Sequence, residues 1–286
     1  MDKIFLGTFK ILQYLYEMVY LIKNKSINEY HLSGYLNNMF AISGISEGKI
    51  WIDHSTTDYE QTIRFEELVS QKGGRMLEAP ITGGMEALKK GQMTVFLAGE
   101  RSLADEVMPL MKATFSNVQY TGKLGTALIP KVLSNCLSAL NMLAATEVLM
   151  ICKKSGVDLK TAFDCIRASS GNSFLWETGV PMLFQGTYDP SFSIDLHCKD
   201  NQLGFELARK HKVPFELLGL VQQIYNRGLY KYGSDAPCYI PAKLLEDDLN
   251  ESLRSAGFEE WSYSIDNVDG SAVIRHHGID LGTGAK

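Results

Sequence analysis

The stretch GTALIPKVLSN, residues 125–135, carries the pattern that decides the fold, because it opens a long helical pattern with two polar side chains on one face. Lys131 and Asn135 are four residues apart, and positions i and i+4 of a helix lie on the same face. Apolar residues surround the pair, and burial lowers the pKa of a lysine because desolvation penalises its charged form. Together the two side chains could hold a small oxygenated substrate, with Lys131 exchanging a proton with a hydroxyl group. Spacing alone favours the alternative, a surface lysine on an amphipathic helix.

Upstream of this stretch, short apolar runs alternate with helical patterns. Strands are predicted over residues 49–53, 75–79, 94–98 and 118–121. Helices are predicted after Thr56, which can act as an N-cap, and over residues 102–114. Strands that alternate with helices predict a parallel α/β sheet.

From Thr126 onward every pattern is helical. A long helix is predicted to about Lys154, and further helices over residues 159–168, 173–184, 200–212 and 215–232. We therefore expect a partial Rossmann-like parallel sheet, followed by an all-α domain that the long helix links to it. Residues 241–286 are polar and glycine-bearing, with a pattern that hints at a short pair of strands.

The sequence Thr82-Gly83-Gly84 follows the second predicted strand. Open α/β sheets bind ligands at the carboxyl ends of their strands. Two successive glycines let backbone N–H groups approach a carboxylate closely, and the Thr82 hydroxyl can donate to it as well. For an isolated glycine pair, a plain tight turn is the alternative.

Four segments in this order resemble the β-hydroxyacid dehydrogenase family, which includes 3-hydroxyisobutyrate dehydrogenase, tartronate semialdehyde reductase and relatives of 6-phosphogluconate dehydrogenase. They are IDHST at residues 52–56, EAPITGG at residues 78–84, the stretch at residues 125–135, and Lys199-Asp200. The resemblance covers roughly residues 43–240, and four ordered motifs are far more specific than any one of them.

The resemblance implies an NAD(P)-dependent oxidoreductase that interconverts a small 3-hydroxy acid and its semialdehyde. Lys131 would be the general acid and base, and Asn135 would hold the substrate oxygen. The substrate carboxylate would lie against Thr82, Gly83 and Gly84, although many relatives carry serine where this chain has Thr82. Relatives also often show two asparagines where this chain has Ser134-Asn135.

The resemblance also implies a cofactor site. Ser55 and Thr56 would contact the nicotinamide ribose side, and Lys199 would reach the nicotinamide end of NAD or NADP. Asp200 would act at the start of a helix through the helix dipole. An exposed capping pair is the alternative for Lys199 and Asp200. The residues that select NAD over NADP are not found in the sequence.

The predicted organisation has four parts. Residues 1–42 form a non-matching segment, predicted to be helical; residues 43–124 are the C-terminal part of the Rossmann-like domain; residues 125–240 are the helical dehydrogenase domain; and residues 241–286 are an extension. Residues 1–42 contain only Gly7 and Gly34, which does not fit a glycine-rich dinucleotide-binding turn. This leaves an alternative function, a catalytically inactive relative acting as a dimeric binding or assembly protein.

Composition limits the classes of partner that the protein could bind and the cellular compartment in which it could work. A formal charge of −5 gives no electrostatic footprint for nucleic acid. The five cysteines are far apart and show no zinc spacing, which favours a reducing compartment. The apolar N-terminal run is interrupted by Lys10, Gln13 and Glu17, which argues against a membrane span. We expect a cytoplasmic protein, with the mitochondrion as the alternative, that acts on a small molecule as a homodimer or higher homo-oligomer.

Overall fold

The computed structural model describes residues 42–268, 271–279 and 281. The segment predicted over residues 1–42 therefore lies almost wholly outside the described residues. Within them, a mixed β-sheet with helices is followed by an all-helical region, which confirms the predicted fold class.

The sheet contains five strands. They are β1 (Ile50–Asp53), β2 (Arg75–Glu78), β3 (Ile81–Thr82), β4 (Thr94–Ala98) and β5 (Asn117–Gly122). β1 pairs with β2 and β4 pairs with β5 in parallel, as predicted, but β4 runs antiparallel to both β2 and β3. The sheet is therefore mixed and not wholly parallel, because the short segment between β3 and β4 returns the chain antiparallel.

β2 and β3 behave as one strand interrupted at Pro80. Both pair with β4 in a single register, in which Glu78 lies opposite Ala98 and Ile81 lies opposite Val95. Proline has no N–H to give to a ladder, so the strand is interrupted there and continues beyond it. Its far end delivers Thr82 and the two glycines to one edge of the sheet.

Helices α1 (Tyr59–Ser70) and α3 (Arg101–Thr114) cover opposite faces of the sheet. Phe65 of α1 packs with Met76 of β2, whereas Val107 of α3 packs with Leu77, the next residue of β2. Successive strand residues point to opposite faces, which accounts for the two separate cores. The N-cap of α1 is Asp58, whose carboxylate accepts from the Gln61 N–H at 2.8 Å, so the prediction of Thr56 as the cap is wrong. A further short helix, α2 (Gly84–Lys89), was not predicted.

The helical region is built around α4 (Leu128–Lys154), which has 27 residues and is about 40 Å long. The helices that follow it are α5 (Leu159–Arg167), α6 (Phe174–Gln185), α7 (Ile194–His211), α8 (Glu216–Tyr232) and α9 (Ala242–Leu249). By length and composition α4 could also cross a membrane. Of its 18-residue apolar stretch, 44% is buried inside the protein. The fully buried rings of Phe163, Phe184 and Tyr225 belong to the core that packs on it.

Helix α7 begins at Ile194, six residues before the predicted start at Asp200. The Ser193 hydroxyl caps it by accepting from the Leu196 N–H. Lys199 and Asp200 therefore lie inside the helix, and the predicted interaction of Asp200 with a helix start is wrong.

The C-terminal residues form the antiparallel hairpin of β6 (Ser262–Val268) and β7 (Ser271–His277), which confirms the predicted strand pair. Trp261 and Tyr263 are buried in the core of the helical region, with ring centroids 5.5 Å apart. The hairpin is therefore part of the folded body. Its backbone also reaches α2 beside the sheet.

Candidate active site

Lys131 and Asn135 lie on one face of α4 and are directly bonded. The Lys131 amine donates to Asn135 Oδ1 at 3.1 Å, and Asn135 Nδ2 donates to Asp200 Oδ2 at 2.6 Å. An ammonium can only donate and a carboxylate can only accept, so these two neighbours fix the orientation of the amide. Lys131 and Asp200 are both buried. The predicted pair is therefore held rigidly by a third residue on α7.

The same arrangement continues to the sheet. Lys199 forms an ion pair with Asp200 Oδ1 at 2.8 Å and donates to the Thr56 carbonyl oxygen at 2.7 Å. Helix α4, helix α7 and the loop after β1 are thus joined through one buried carboxylate. Asp200 holds Lys199 and Asn135 directly and Lys131 through Asn135, which the sequence did not predict.

Burial sets the protonation of these groups. Desolvation lowers the pKa of Lys131 below its ordinary value, while the Asp200 carboxylate opposes part of that shift. Burial of Asp200 by itself favours the neutral acid. Lys199, Lys131 and Asn135 together overcome this and leave the pKa of Asp200 below its ordinary value. The site therefore contains an anionic Asp200 beside a lysine that loses its proton more readily than usual.

The turn after β3 has a backbone that requires glycine. Gly83 has φ of 140° and Gly84 has φ of 72°, both in the region that disfavours other residues. A Cβ on Gly83 would lie 2.9 Å from the Ala87 side chain and 3.0 Å from Met93 Sδ. Among the described residues, the Thr82 hydroxyl makes no hydrogen bond, so it is available to a ligand.

Glu78 connects the turn at residues 82–84 to the helix that carries Lys131. The sequence alone did not predict a role for it. Its carboxylate is buried at the end of β2 and accepts from the Gly125 N–H at 2.5 Å and from the Leu128 N–H. These N–H groups belong to the first turn of α4 and its approach, where no local side chain caps the helix. Burial raises the pKa of Glu78, and the two N–H donors oppose that shift. Glu78 thus fixes the start of α4 against the strand that leads to Thr82.

Other polar residues support the same region. His197 is buried on α7, and its Nε2 donates to the Asn135 carbonyl oxygen at 3.0 Å. Ser55 bonds to the Asp53 carboxylate through its hydroxyl at 2.7 Å. His54 Nδ1 donates to the Ala79 carbonyl at 2.7 Å, and burial lowers its pKa. The contacts of His54 are structural, in keeping with its position beside the predicted residues and not among them.

The predicted residues thus fall into two groups. One contains Lys131, Asn135, Lys199 and Asp200 with the carbonyl of Thr56, and the other is the turn at residues 82–84. No hydrogen bond or ion pair within the described residues joins Lys131 to that turn. The link between the groups is Glu78, four residues before Thr82 and bonded to α4 three residues before Lys131.

Cavities within the described part of the chain include two that none of the predicted site residues line. The larger, of about 600 Å³, is lined by α6 and the segment after α9, around Gln185 and Arg254, and contains none of the predicted site residues. The smaller, of about 10 Å³, lies beside Thr57 and Leu128 and has room for about one water molecule. Among the described residues, no group of three or more His, Cys, Asp and Glu side chains could hold a metal ion.

Two protein-family models match consecutive parts of the chain. Residues 20–122 match the NAD-binding domain of 6-phosphogluconate dehydrogenase, and residues 125–244 match the NAD-binding model of NADP-dependent 3-hydroxyisobutyrate dehydrogenase. The first match begins upstream of residue 43, where the sequence predicted the related region to start.

Two curated relatives and one solved structure illustrate the similarity. Arabidopsis thaliana glyoxylate/succinic semialdehyde reductase 1 is 26% identical over 64% of this chain, which spans 63% of that protein. Escherichia coli 2-hydroxy-3-oxopropionate reductase is 27% identical over 72% of this chain and 71% of its own length. The structure of Mycobacterium tuberculosis 3-hydroxyisobutyrate dehydrogenase with L-serine aligns with a TM-score of 0.65 at 20% identity, covering 71% of this chain and 72% of that one. The chain therefore shares the fold of that enzyme, while spanning less than two thirds of the first relative.

Proposed function

The chain belongs to the β-hydroxyacid dehydrogenase family, and from this premise we propose that it is an NAD(P)-dependent oxidoreductase that interconverts a small 3-hydroxy acid and its semialdehyde. The observation that carries the proposal is the buried Lys131 amine, bonded to Asn135 and adjacent to Asp200. The names of the relatives support the substrate class, since they are reductases and dehydrogenases of short hydroxy acids or semialdehydes.

Lys131 is the proposed proton donor and acceptor. In the reducing direction its ammonium gives a proton to the carbonyl oxygen, which becomes the hydroxyl of the product. In the oxidising direction the neutral amine takes that proton back. Asn135 positions the amine and the substrate oxygen, and Asp200 keeps Asn135 oriented. The lowered pKa of Lys131 suits a group that must work in both directions.

The residues at the carboxyl end of β1 could bind a nicotinamide cofactor. Ser55 and Thr56 follow that strand, and the partly exposed amine of Lys199 lies against Thr56. Edges of this kind are where open α/β sheets bind ligands. Ser55, Thr56 and Lys199 would hold NAD or NADP, which supplies the hydride when bound. Asp200 was also predicted to bind the cofactor, but its contacts assign it to the lysines and Asn135.

Substitution of Thr82 tests the proposed function. Replacing Thr82 with valine removes the hydroxyl but keeps the volume, so we expect KM for the acid or semialdehyde to rise about tenfold with kcat within about threefold. Loss of a hydrogen bond to a charged group accounts for an effect of this size. The measurement is the initial rate of NADH or NADPH oxidation with short semialdehydes. Thr82→Ser, which keeps the hydroxyl, should retain the KM of the unmodified chain. Absence of turnover by the unmodified chain would contradict the proposed activity and favour the inactive binding protein.

The pH dependence tests the role of Asp200. Oxidation requires neutral Lys131, so kcat/KM for the hydroxy acid should rise with pH through the pKa of Lys131 and then level off, with a midpoint below the ordinary pKa of a lysine. The Asp200 carboxylate favours the ammonium form, so Asp200→Asn should move this midpoint to lower pH. Asp105→Asn, at an exposed position on α3, serves as the control and should leave it unchanged. A midpoint that stays in place or rises in Asp200→Asn would show that Asp200 does not act on the titrating group.

The predicted homo-oligomer stays a prediction. Helix α4 exposes Leu137, Val148 and Ile151, and α8 exposes Leu217 and Leu220. A second copy of the chain packing on these faces would remove their apolar surface from water. The mass of the particle in solution tests this prediction.

A further inference from the structure

The C-terminal hairpin is the feature that the family comparison does not account for. Its strands, residues 262–277, lie beyond both matched ranges, which end at residues 122 and 244. They nevertheless make specific polar contacts with two separate parts of the fold. Tyr263 of β6 and His276 of β7 are direct cross-strand partners, so these contacts lie close together near the open end of the hairpin.

Strand β7 is attached to the helical region. His276 Nε2 contacts the Glu177 carboxylate of α6 at 3.0 Å, and the Trp261 indole N–H donates to His276 Nδ1 at 3.0 Å. An indole nitrogen is only a donor, so Nδ1 accepts and Nε2 carries the proton given to Glu177. The His276 side chain is only 2% exposed and the Glu177 side chain 18%, so this contact is largely buried.

Strand β6 is attached to the turn at residues 82–84. The Tyr263 hydroxyl donates to the Gly83 carbonyl oxygen at 3.1 Å. Two contacts with the segment after α2 reinforce it: Lys90 donates to the Tyr263 carbonyl oxygen, and the Ile265 N–H donates to Gln92 Oε1 at 2.8 Å. The hairpin therefore straps the turn at residues 82–84 to the helical region that carries Lys131.

The bond to Gly83 has a direct consequence for the turn. The carbonyl of Gly83 and the N–H of Gly84 belong to one peptide unit, and in a trans peptide they point in opposite directions. Both glycines can rotate more freely than other residues, so an outside contact is needed to fix this peptide. The Tyr263 hydroxyl supplies that contact, and it would lie 3.7 Å from a Cβ on Gly84. Burial raises the pKa of Tyr263 to about 12, so its hydroxyl remains a donor at neutral pH.

We propose that Tyr263 is a positioning residue of the carboxylate site, and that the β6–β7 hairpin is the strap that holds it in place. By fixing the Gly83 carbonyl, Tyr263 sets the direction in which the Gly84 N–H faces the substrate carboxylate. The role rests on the proposed function, since the carboxylate is part of it. The strap itself is a property of the folded chain and is measurable without turnover.

Tyr263→Phe tests the inference in the full chain, because it removes only the hydroxyl. Hydrogen exchange of the amides in residues 83–91 should become about fivefold faster, the change expected for loss of one net hydrogen bond. Ser264→Ala is the matched control: Ser264 bonds to His277 on the exposed side of the hairpin, so exchange in residues 83–91 should not change. Unchanged exchange in Tyr263→Phe would show that the Tyr263 hydroxyl does not hold the turn at residues 82–84.

Kinetics then test the positioning role. We expect Tyr263→Phe to raise KM for the acid or semialdehyde about fivefold, with kcat within about twofold, and Ser264→Ala to leave both unchanged. A fall in kcat with unchanged KM would overturn positioning of the carboxylate. If the unmodified chain shows no turnover, the proposed function fails, while the exchange measurement still decides whether Tyr263 holds the turn.

Discussion

Replacing Lys131 with methionine is expected to lower kcat by about 100-fold to 10,000-fold, the range that a positioned proton donor contributes. Methionine fills a similar apolar space but cannot give or take a proton. Because Lys131 is buried and desolvation already penalises its charged form, the fold should tolerate the change. The measurement is single-turnover or steady-state reduction of a short semialdehyde by NADH or NADPH.

The matched control is Lys123→Met. Lys123 is an exposed lysine five residues before Leu128, so its replacement should leave kcat within about twofold. Circular dichroism and thermal unfolding should show that both variants are folded. A folded Lys131→Met protein with unchanged kcat would exclude Lys131 as the general acid and base.

Replacing Glu78 with alanine is expected to lower the free energy of unfolding by about 2–6 kcal/mol. The substitution leaves the Gly125 and Leu128 N–H groups buried without an acceptor, and each such group costs about 1–3 kcal/mol. It also removes the contact that fixes the first turn of α4. Lys131 lies on the same helix, about one turn further along. Urea denaturation at equilibrium measures the loss.

Glu106→Ala is the control for that experiment. Glu106 is an exposed carboxylate that pairs with Arg75 on the surface of the sheet region, so its removal should change stability little. Equal denaturation midpoints for Glu78→Ala and the unmodified chain would show that the Glu78 carboxylate does not hold the start of α4.

The sequence predicted those parts of the fold that depend on local pattern. Strands β1, β2, β4 and β5 and the long helix α4 follow from runs and periods of apolar residues that are complete within a few turns. The i, i+4 relation placed Lys131 and Asn135 on one face for the same reason. The predicted start of α7 at Asp200 is wrong, because Ser193 is the residue with the N-cap geometry.

The contacts that assemble the site are not local, and no sequence pattern predicted them. Glu78 is separated from Gly125 by 47 residues and from Leu128 by 50, and Tyr263 from Gly83 by 180. Asp200 reaches Asn135 across 65 residues. Each contact joins elements whose relative position is set by the packing of the whole fold and not by neighbouring residues in the sequence. A single sequence can show which side chains carry chemistry, but it cannot show which buried carboxylate holds them.

The most direct measurement of the central claim uses NADH and NADPH that carry deuterium at both hydrogen positions of nicotinamide C4, incubated with the full chain and a short semialdehyde. Mass spectrometry of the hydroxy acid product reports whether the hydride was transferred. Our account predicts that deuterium appears in the product formed by the unmodified chain, and that the Lys131→Met variant forms at least about 100-fold less of it in the same time. Product without deuterium, or no product from a folded chain with either cofactor, would contradict the assignment of this protein as an active dehydrogenase.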